Sequence, residues 1–375
     1  MAENKNVYRT KLVMLQKEKI LIVNPYGIGD LLFATPLFNT IKKANPHSEL
    51  HVLVGSRTKE ILDSNKDVDN IIVDDRDFWR GKKNGALRRL LYLLKLRKNK
   101  YDTFMNLSLD VEYNFIATYL LNIPCRIGFN FKGRGRCLNR KLPLPHGFYK
   151  NHVAQYYVQL LSLWKKNISS VESPTYHFPL GNIKLQEKIF ELFRDGESKL
   201  ISIFPGGGAS WGARAHWKMW PVEKFAQLAD MIIQNTGAQV IVMGSPEEKE
   251  LCDTMLTSMK EKAISLAGEI KSLAEVGLFL KNMNFVICND SGIFHVSLSQ
   301  SVPTLGIFGP VDETVYGSPK NTPHVLCVTS KIACRPCYYK FSLPECREPS
   351  CLIDLSVGDV YSNFKSLYEK KPLCQ

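Results

Sequence analysis

Lys19-Ile20-Leu21-Ile22-Val23-Asn24-Pro25-Tyr26-Gly27-Ile28-Gly29-Asp30 is the stretch from which the fold can be read. Four aliphatic residues follow the lysine without polar alternation, as in a strand covered on both faces, and such strands belong to parallel sheets. The chain then turns, because residues 24–30 hold Pro25, Gly27 and Gly29. Residues 31–44 follow at helical spacing, with Pro36 tolerable only near the first turns. Outward from this unit the pattern repeats: a strand at 49–55, a helix at 57–65, and further strands at 70–73 and 103–107. Strand–helix–strand rhythm of this kind predicts a parallel, doubly wound sheet.

The rhythm restarts after residue 200. A strand at 200–204 ends in Pro205-Gly206-Gly207-Gly208, and one at 239–243 ends in Gly244-Ser245-Pro246. Helices at 222–235, 247–258 and 273–282 alternate with a short strand near Ile264 and one at 285–288. Gly292 opens a helix to residue 299, and a strand at 304–308 follows. The expectation is an α/β protein of two Rossmann-like domains, 1–180 and 181–375, with parallel sheets facing a central cleft. The change-over belongs in residues 170–182, around Pro174 and Pro179.

Hydrophobic residues make up 45% of the 375-residue chain and charged residues 23%, a folded rather than a disordered composition. No run of about 18 uncharged apolar residues offers a spanning helix. The first twenty residues carry five Lys and Arg but lack the apolar block of a signal peptide, so a cytoplasmic location is expected. The net charge of +13 is uneven. Residues 1–180 hold 29 Lys and Arg against 15 Asp and Glu, and the remainder holds 20 against 21. An anionic partner is therefore expected at the N-terminal half. Nucleic acid is disfavoured, because aromatic and basic residues are not interleaved as in single-strand binders. Residues 87–96 form a basic amphipathic helix that either covers its own sheet or lies on the cytoplasmic face of a membrane. The basic loop at 126–141 supplies Arg134 and Arg136 as candidate acceptor contacts.

Several motifs stand at strand ends, where ligands of doubly wound sheets bind. Gly27-Ile28-Gly29-Asp30 is not a dinucleotide fingerprint, since Leu32 occupies the place of the third glycine. It leaves a lone carboxylate, Asp30, at a crevice mouth, either as a helix cap or facing a ligand, and the roles are compatible. Gly206 and Gly207 can cradle phosphate without a Cβ in the way. Lys218 is placed to reach an anion, or is an ordinary solvated lysine. Glu247 and Glu248 suit ribose hydroxyls or simply an acidic first helical turn. Asp290, Ser291 and Gly292 open a helix whose free N–H groups suit a diphosphate. His295, one turn on, is either a ligand contact or a core histidine.

In their order and spacing these motifs closely resemble glycosyltransferase family 9, the heptosyltransferases of bacterial lipopolysaccharide. Carrying the resemblance are Gly27-Ile28-Gly29-Asp30 with its Thr35-Pro36 helix, the glycine run with Lys218-Met219-Trp220-Pro221, and Met243-Gly244-Ser245-Pro246-Glu247-Glu248. The two most specific motifs follow, Asn289-Asp290-Ser291-Gly292-Ile293-Phe294-His295 and Gly306-Ile307-Phe308-Gly309-Pro310. The resemblance implies a GT-B architecture and inverting, metal-independent transfer of heptose from ADP-L-glycero-β-D-manno-heptose, without a cofactor, to an anionic lipid-linked glycan. It implies Asp30 as general base and Lys218 as the cation on the leaving diphosphate. Ser291, Gly292 and His295 match the phosphate-binding turn and helix, and Glu248, or Glu247 beside it, the ribose contact. Three consecutive glycines depart from the single glycine usual at that loop. The late cysteines Cys334, Cys337, Cys346 and Cys351 resemble the Cys-rich tail of many members, open to zinc, redox or purely structural roles.

Overall fold

β1 (Lys19–Asn24) pairs in parallel with β2 (Glu49–Val54) on one side and β4 (Thr103–Asn106) on the other in the computed structural model. The structure describes residues 17–165, 176–180, 189, 191, 198–208 and 211–369. β3 (Asn70–Val73), β5 (Cys125–Asn130) and β6 (Arg140–Pro143) complete a six-stranded sheet in the order β3-β2-β1-β4-β5-β6. The unbroken aliphatic run of β1 has a direct cause. Ile20 and Ile22 enter one core, while Leu21 and Val23 enter another on the opposite face.

The second sheet repeats the plan. β7 (Leu200–Phe204), β8 (Gln239–Val242), β9 (Ile264–Ser265), β10 (Phe285–Asn289), β11 (Thr304–Phe308) and β12 (Val325–Thr329) run in the order β12-β11-β10-β7-β8-β9. Counted from the first strand of each half, both orders are 3-2-1-4-5-6, the doubly wound arrangement. The two Rossmann-like sheets expected from the sequence are thus present. The expected change-over at 170–182 lies mostly outside the described residues.

The halves are not independent. One hydrophobic cluster runs from Ile20 and Phe33 through Phe178 to Phe294 and Phe308. α1 (Ile28–Ala44) packs against both the Val153–Gln159 helix and the Gly292–Ser299 helix of the other half. Strand ends of both sheets therefore face each other across a cleft, with the α1 N-terminus at its floor.

Three local expectations need correction. Pro36 lies in the middle of α1, not near its start. Its ring nitrogen cannot donate to the Leu32 carbonyl, and the Thr35 hydroxyl donates to that oxygen instead, at 2.8 Å. The helix expected at 57–65 is a 3-10 segment, Ser56–Ile61. Thr58 there donates its hydroxyl to the Gly55 carbonyl, a local bond that competes with α-helical pairing. The basic helix spans Gly85–Leu94 and sends Leu93 into the core, whereas Leu87, Leu90 and Leu91 stay exposed. It covers its sheet through Leu93, Tyr92 and the following Leu96, and what differs from the expectation is its span and the three leucines left outward.

Candidate active site

Asp30 sits three residues into α1, whose N-cap is Gly27. Its Oδ2 accepts the Gly27 N–H at 3.3 Å, and the Asn24 side-chain amide donates to its carbonyl at 2.9 Å. Asp30 thus helps close the helix end without being the cap. Its carboxylate opens onto the cleft but is closely surrounded by protein. Burial pushes its pKa up to about 6, against the opposing pull of the Gly27 N–H and of Lys218.

The facing wall comes from the second sheet. Asn289, fully buried at the end of β10, accepts the Trp220 N–H through Oδ1 and donates to the carbonyls of Pro205 and Gly206. One amide therefore ties three motifs together. Glu248 clamps the glycine loop to the next strand end, accepting from Gly208 at 3.2 Å and from Ser245 at 3.0 Å. A Cβ on Gly206 would lie 2.0 Å from Glu248 Oε1, so any larger residue here would displace the Glu248 carboxylate. Gly208 has φ +70°, the left-handed region. Lys218 and Asp290 form an ion pair of 2.9 Å with about 7% and 6% of their side chains exposed. The lysine ammonium also lies 5.0 Å over the Trp211 ring. A buried pair held this way is costly to break on one side only.

The site closes at the seam between halves. A Cβ on Gly29 would come within 2.7 Å of His295 Cδ2, so only glycine lets the two helices approach this closely. His295 is boxed by Phe33 and Tyr176, and its Nδ1 is buried without a hydrogen-bond partner among the described residues. Burial first, then the neighbouring His152 and Lys218, holds its pKa well below the usual histidine value. A cleft of about 1000 Å³ runs between the walls. Its polar groups include the Asp30 carboxylate on one side and, on the other, the Lys218 ammonium, a glycine loop and a helix N-terminus. That distribution suits a reaction in which a diphosphate departs and a hydroxyl loses its proton.

The sequence profile described as glycosyltransferase family 9 (heptosyltransferase) matches residues 90–346. The chain belongs to glycosyltransferase family 9. It is 26% identical over 315 residues to lipopolysaccharide heptosyltransferase 2 of Salmonella typhimurium, covering 81% of this chain and 85% of that one. Among solved structures it is similar to a family 9 glycosyl transferase from Veillonella parvula, with a TM-score of 0.73, 20% identity, and coverage of 95% and 99%. It is also similar to the E. coli heptosyltransferase WaaC with ADP-2-deoxy-2-fluoro heptose, with a TM-score of 0.65, 16% identity, and coverage of 93% and 99%.

In this glycosyltransferase the cleft gathers Asp30, Lys218, Gly206, Glu247, Glu248, Asp290, Ser291, Gly292, His295 and Arg134. Lys218 is no solvated surface lysine. Gly207 does not line the cleft; it packs under Met219 and the Ala215 carbonyl, while Gly208 takes the lining place. Arg136 is exposed on the same loop as Arg134 but does not reach the cleft wall. Glu248 is committed to two backbone donors, whereas Glu247 is exposed at the rim.

The sequence reading passed over Arg57, Lys271 and the aromatic wall of Tyr316 and Tyr338, all of which line the cleft. Arg57 and Lys271 follow the ends of β2 and β9, and that position was the available signal. Tyr316 ends the one-turn helix Glu313–Tyr316 and Tyr338 lies in a late loop, and neither segment is long enough for periodicity to mark it. All nine described cysteines are free thiols. Cys334, Cys337, Cys346 and Cys351 are near enough to influence one another, and burial, reinforced by the other three, pushes the Cys351 thiol up to about 11. No group of three or more His, Cys, Asp or Glu among the described residues is arranged to hold a metal ion.

Proposed function

We propose that this glycosyltransferase moves heptose from ADP-L-glycero-β-D-manno-heptose to the anionic, lipid-linked inner core of lipopolysaccharide, with inversion at the anomeric carbon. The observation that carries the reading is the placement of the Asp30 carboxylate in the same cleft as the buried Lys218–Asp290 pair, where burial pushes its pKa up to about 6. Such a group is ionised at neutral pH yet binds a proton about a hundred times more tightly than an ordinary aspartate. The name of the Salmonella relative and the ADP-fluoroheptose of the E. coli protein support the donor and acceptor.

The acceptor hydroxyl gives its proton to Asp30 as its oxygen attacks the anomeric carbon. The bond from that carbon to the diphosphate oxygen breaks on the opposite face, and ADP leaves with the electron pair. A single displacement inverts the configuration. Charge growing on the diphosphate is met by Lys218 and by the N–H groups heading the Gly292–Ser299 helix. The reading calls on no metal or cofactor. Residues 181–375 hold the donor, with Glu247 on the ribose. Residues 1–180, which carry the basic excess, hold the acceptor with Arg134 at the rim. The enzyme then works at the cytoplasmic face of the membrane.

The test is release of the nucleoside diphosphate from each of a panel of nucleotide sugars, with and without deep-truncated lipopolysaccharide, using Asp30→Ala as control. Acceptor-dependent release from ADP-heptose alone, abolished in the variant, is the expected result. Release from another nucleotide sugar overturns the heptose assignment, and binding without release from any donor overturns the transferase mechanism.

A further inference from the structure

We propose that the outer face of the Gly85–Leu94 helix, with the adjoining Val111–Phe115 helix and Ile116–Leu120 turn, is a docking surface for an anionic lipid bilayer. Leu87, Leu90 and Leu91 stand at i, i+3 and i+4, so they share one face, and they are 54%, 40% and 52% exposed. The helix is anchored by Leu93, which joins Leu21 and Val23 in the core and lines the inner edge of the groove described below. A surface helix ordinarily turns its apolar stripe inward; this one carries a second stripe outward. Between that stripe and Phe115, Ile116 and Tyr119 lies an apolar groove of about 640 Å³. Phe115 and Tyr119 stack with ring centroids 5.9 Å apart, and Tyr119 is 73% exposed. A contiguous apolar area of this kind marks an interaction surface.

Charge identifies the occupant. Residues 76–100 contain ten Lys and Arg and a single acid, Asp77. Arg76, Arg80 and Arg89 are engaged by Asp110, Asp77, Asp74 and Glu112. The other seven, from Lys82 and Lys83 through Arg88 and Lys95 to Lys100, make no ion pair among the described residues. They lie before, within and after the leucine stripe. Leucines inserted at the acyl boundary, with long cations snorkelling to mobile phosphates around them, satisfy both features together. A protein partner would need carboxylates fixed in a matching pattern on all sides of one apolar patch.

The face is joined to the cleft by a shared helix. Leu109 lines the cleft, Asp110 caps the Val111–Phe115 helix, and Asn114 of that helix donates to the carbonyl of Arg134 on the rim. Docking here therefore engages an element that also supports the cleft rim. The relevance of that link to an acceptor rests on the function proposed above; the docking itself does not.

The experiment is co-sedimentation of the full chain, without donor or acceptor, with vesicles of phosphatidylglycerol and phosphatidylethanolamine and with vesicles of phosphatidylcholine alone. Binding to the anionic vesicles is expected, weaker by about tenfold or more on phosphatidylcholine. The exposed pair Leu87→Gln/Leu91→Gln lowers partitioning by about tenfold, as does Lys82→Glu/Arg88→Glu/Lys95→Glu. Both variants keep ADP release on a delipidated acceptor. Unchanged partitioning in either variant overturns the proposal. So does a leucine pair that instead splits a homodimer or lowers thermal stability, since the face then belongs to a second copy or to the chain's own fold. Vesicle binding is read without any sugar, so a failure of the heptose assignment leaves this result standing, and the reverse holds too.

Discussion

Asp30 closes a helix end and is the base proposed above, and the two roles should respond differently to substitution. Its folded pKa of about 6 lies above the unfolded value near 3.9. The stability it contributes is therefore present below pH 4 and lost as pH rises through 6. At pH 8 the ionised group is a strain on the fold. Asp30→Asn keeps an acceptor for the Gly27 N–H without that charge, so it should raise stability at pH 8 by about 2 kcal/mol, read from urea unfolding. The same variant should lower kcat by roughly a thousandfold. In the unaltered enzyme kcat/KM should fall on the acid side with an apparent pKa near 6, and a flat profile there removes Asp30 as the base. The two neighbouring glutamates offer a second contrast. Glu248→Ala leaves the part-buried N–H groups of Gly208 and Ser245 without their acceptor and should cost about 1–2 kcal/mol. Glu247→Ala should leave stability within about 0.5 kcal/mol while raising the donor KM. Equal thermal midpoints for the two variants would contradict this division.

At the scale of elements, the cleft wall proposed to hold the donor is a set of strand ends locked by a few polar bonds. Lys218 and Asp290 belong to different segments, and each leaves the other buried and charged if removed. Lys218→Met alone should destabilise the protein by about 3–5 kcal/mol. Lys218→Met/Asp290→Asn should recover most of that loss but not the activity, which separates the fold's use of the lysine from the reaction's. If the double variant turns over ADP-heptose normally, the cation is structural only. The glycine loop gives a steric test. Gly206→Ala forces a methyl group onto the Glu248 carboxylate, so the clamp must open. Loss of donor binding in calorimetry is the expected result, and a donor affinity equal to that of the native protein would show that the clamp is dispensable.

For the whole molecule, the two halves meet through helices whose contact is neutral and aromatic. His152 is pushed down to about 4 by burial, and His295 is held well below its usual value. Both folded values lie below the unfolded one near 6.5. The stability they contribute is full above pH 6.5 and is lost as pH falls through that value toward their folded pKa values. From pH 7 to 5 this loss opposes the gain from Asp30, so it should be read in an Asp30→Asn background, where the urea midpoint is expected to fall. His295→Met, which fills similar space without a titrating nitrogen, should flatten this slope; an unchanged slope would place the acid sensitivity elsewhere.

Periodicity and punctuation made the two doubly wound halves legible, because a strand covered on both faces must be apolar throughout, as Ile20 to Val23 are. The same logic put Asp30, Gly206 and Ser291 at strand ends, where ligands of such sheets bind. What the chain order could not convey was how separate segments share one environment. The burial of Lys218 against Asp290, the single amide of Asn289 tying three motifs, and the fit of Gly29 under His295 exist only once the sheets face each other. The outward leucines of the Gly85–Leu94 helix are the reverse case. Their spacing is plain in the sequence, but amphipathic spacing alone does not say which side meets the core, and only the packing of Leu93 decides it.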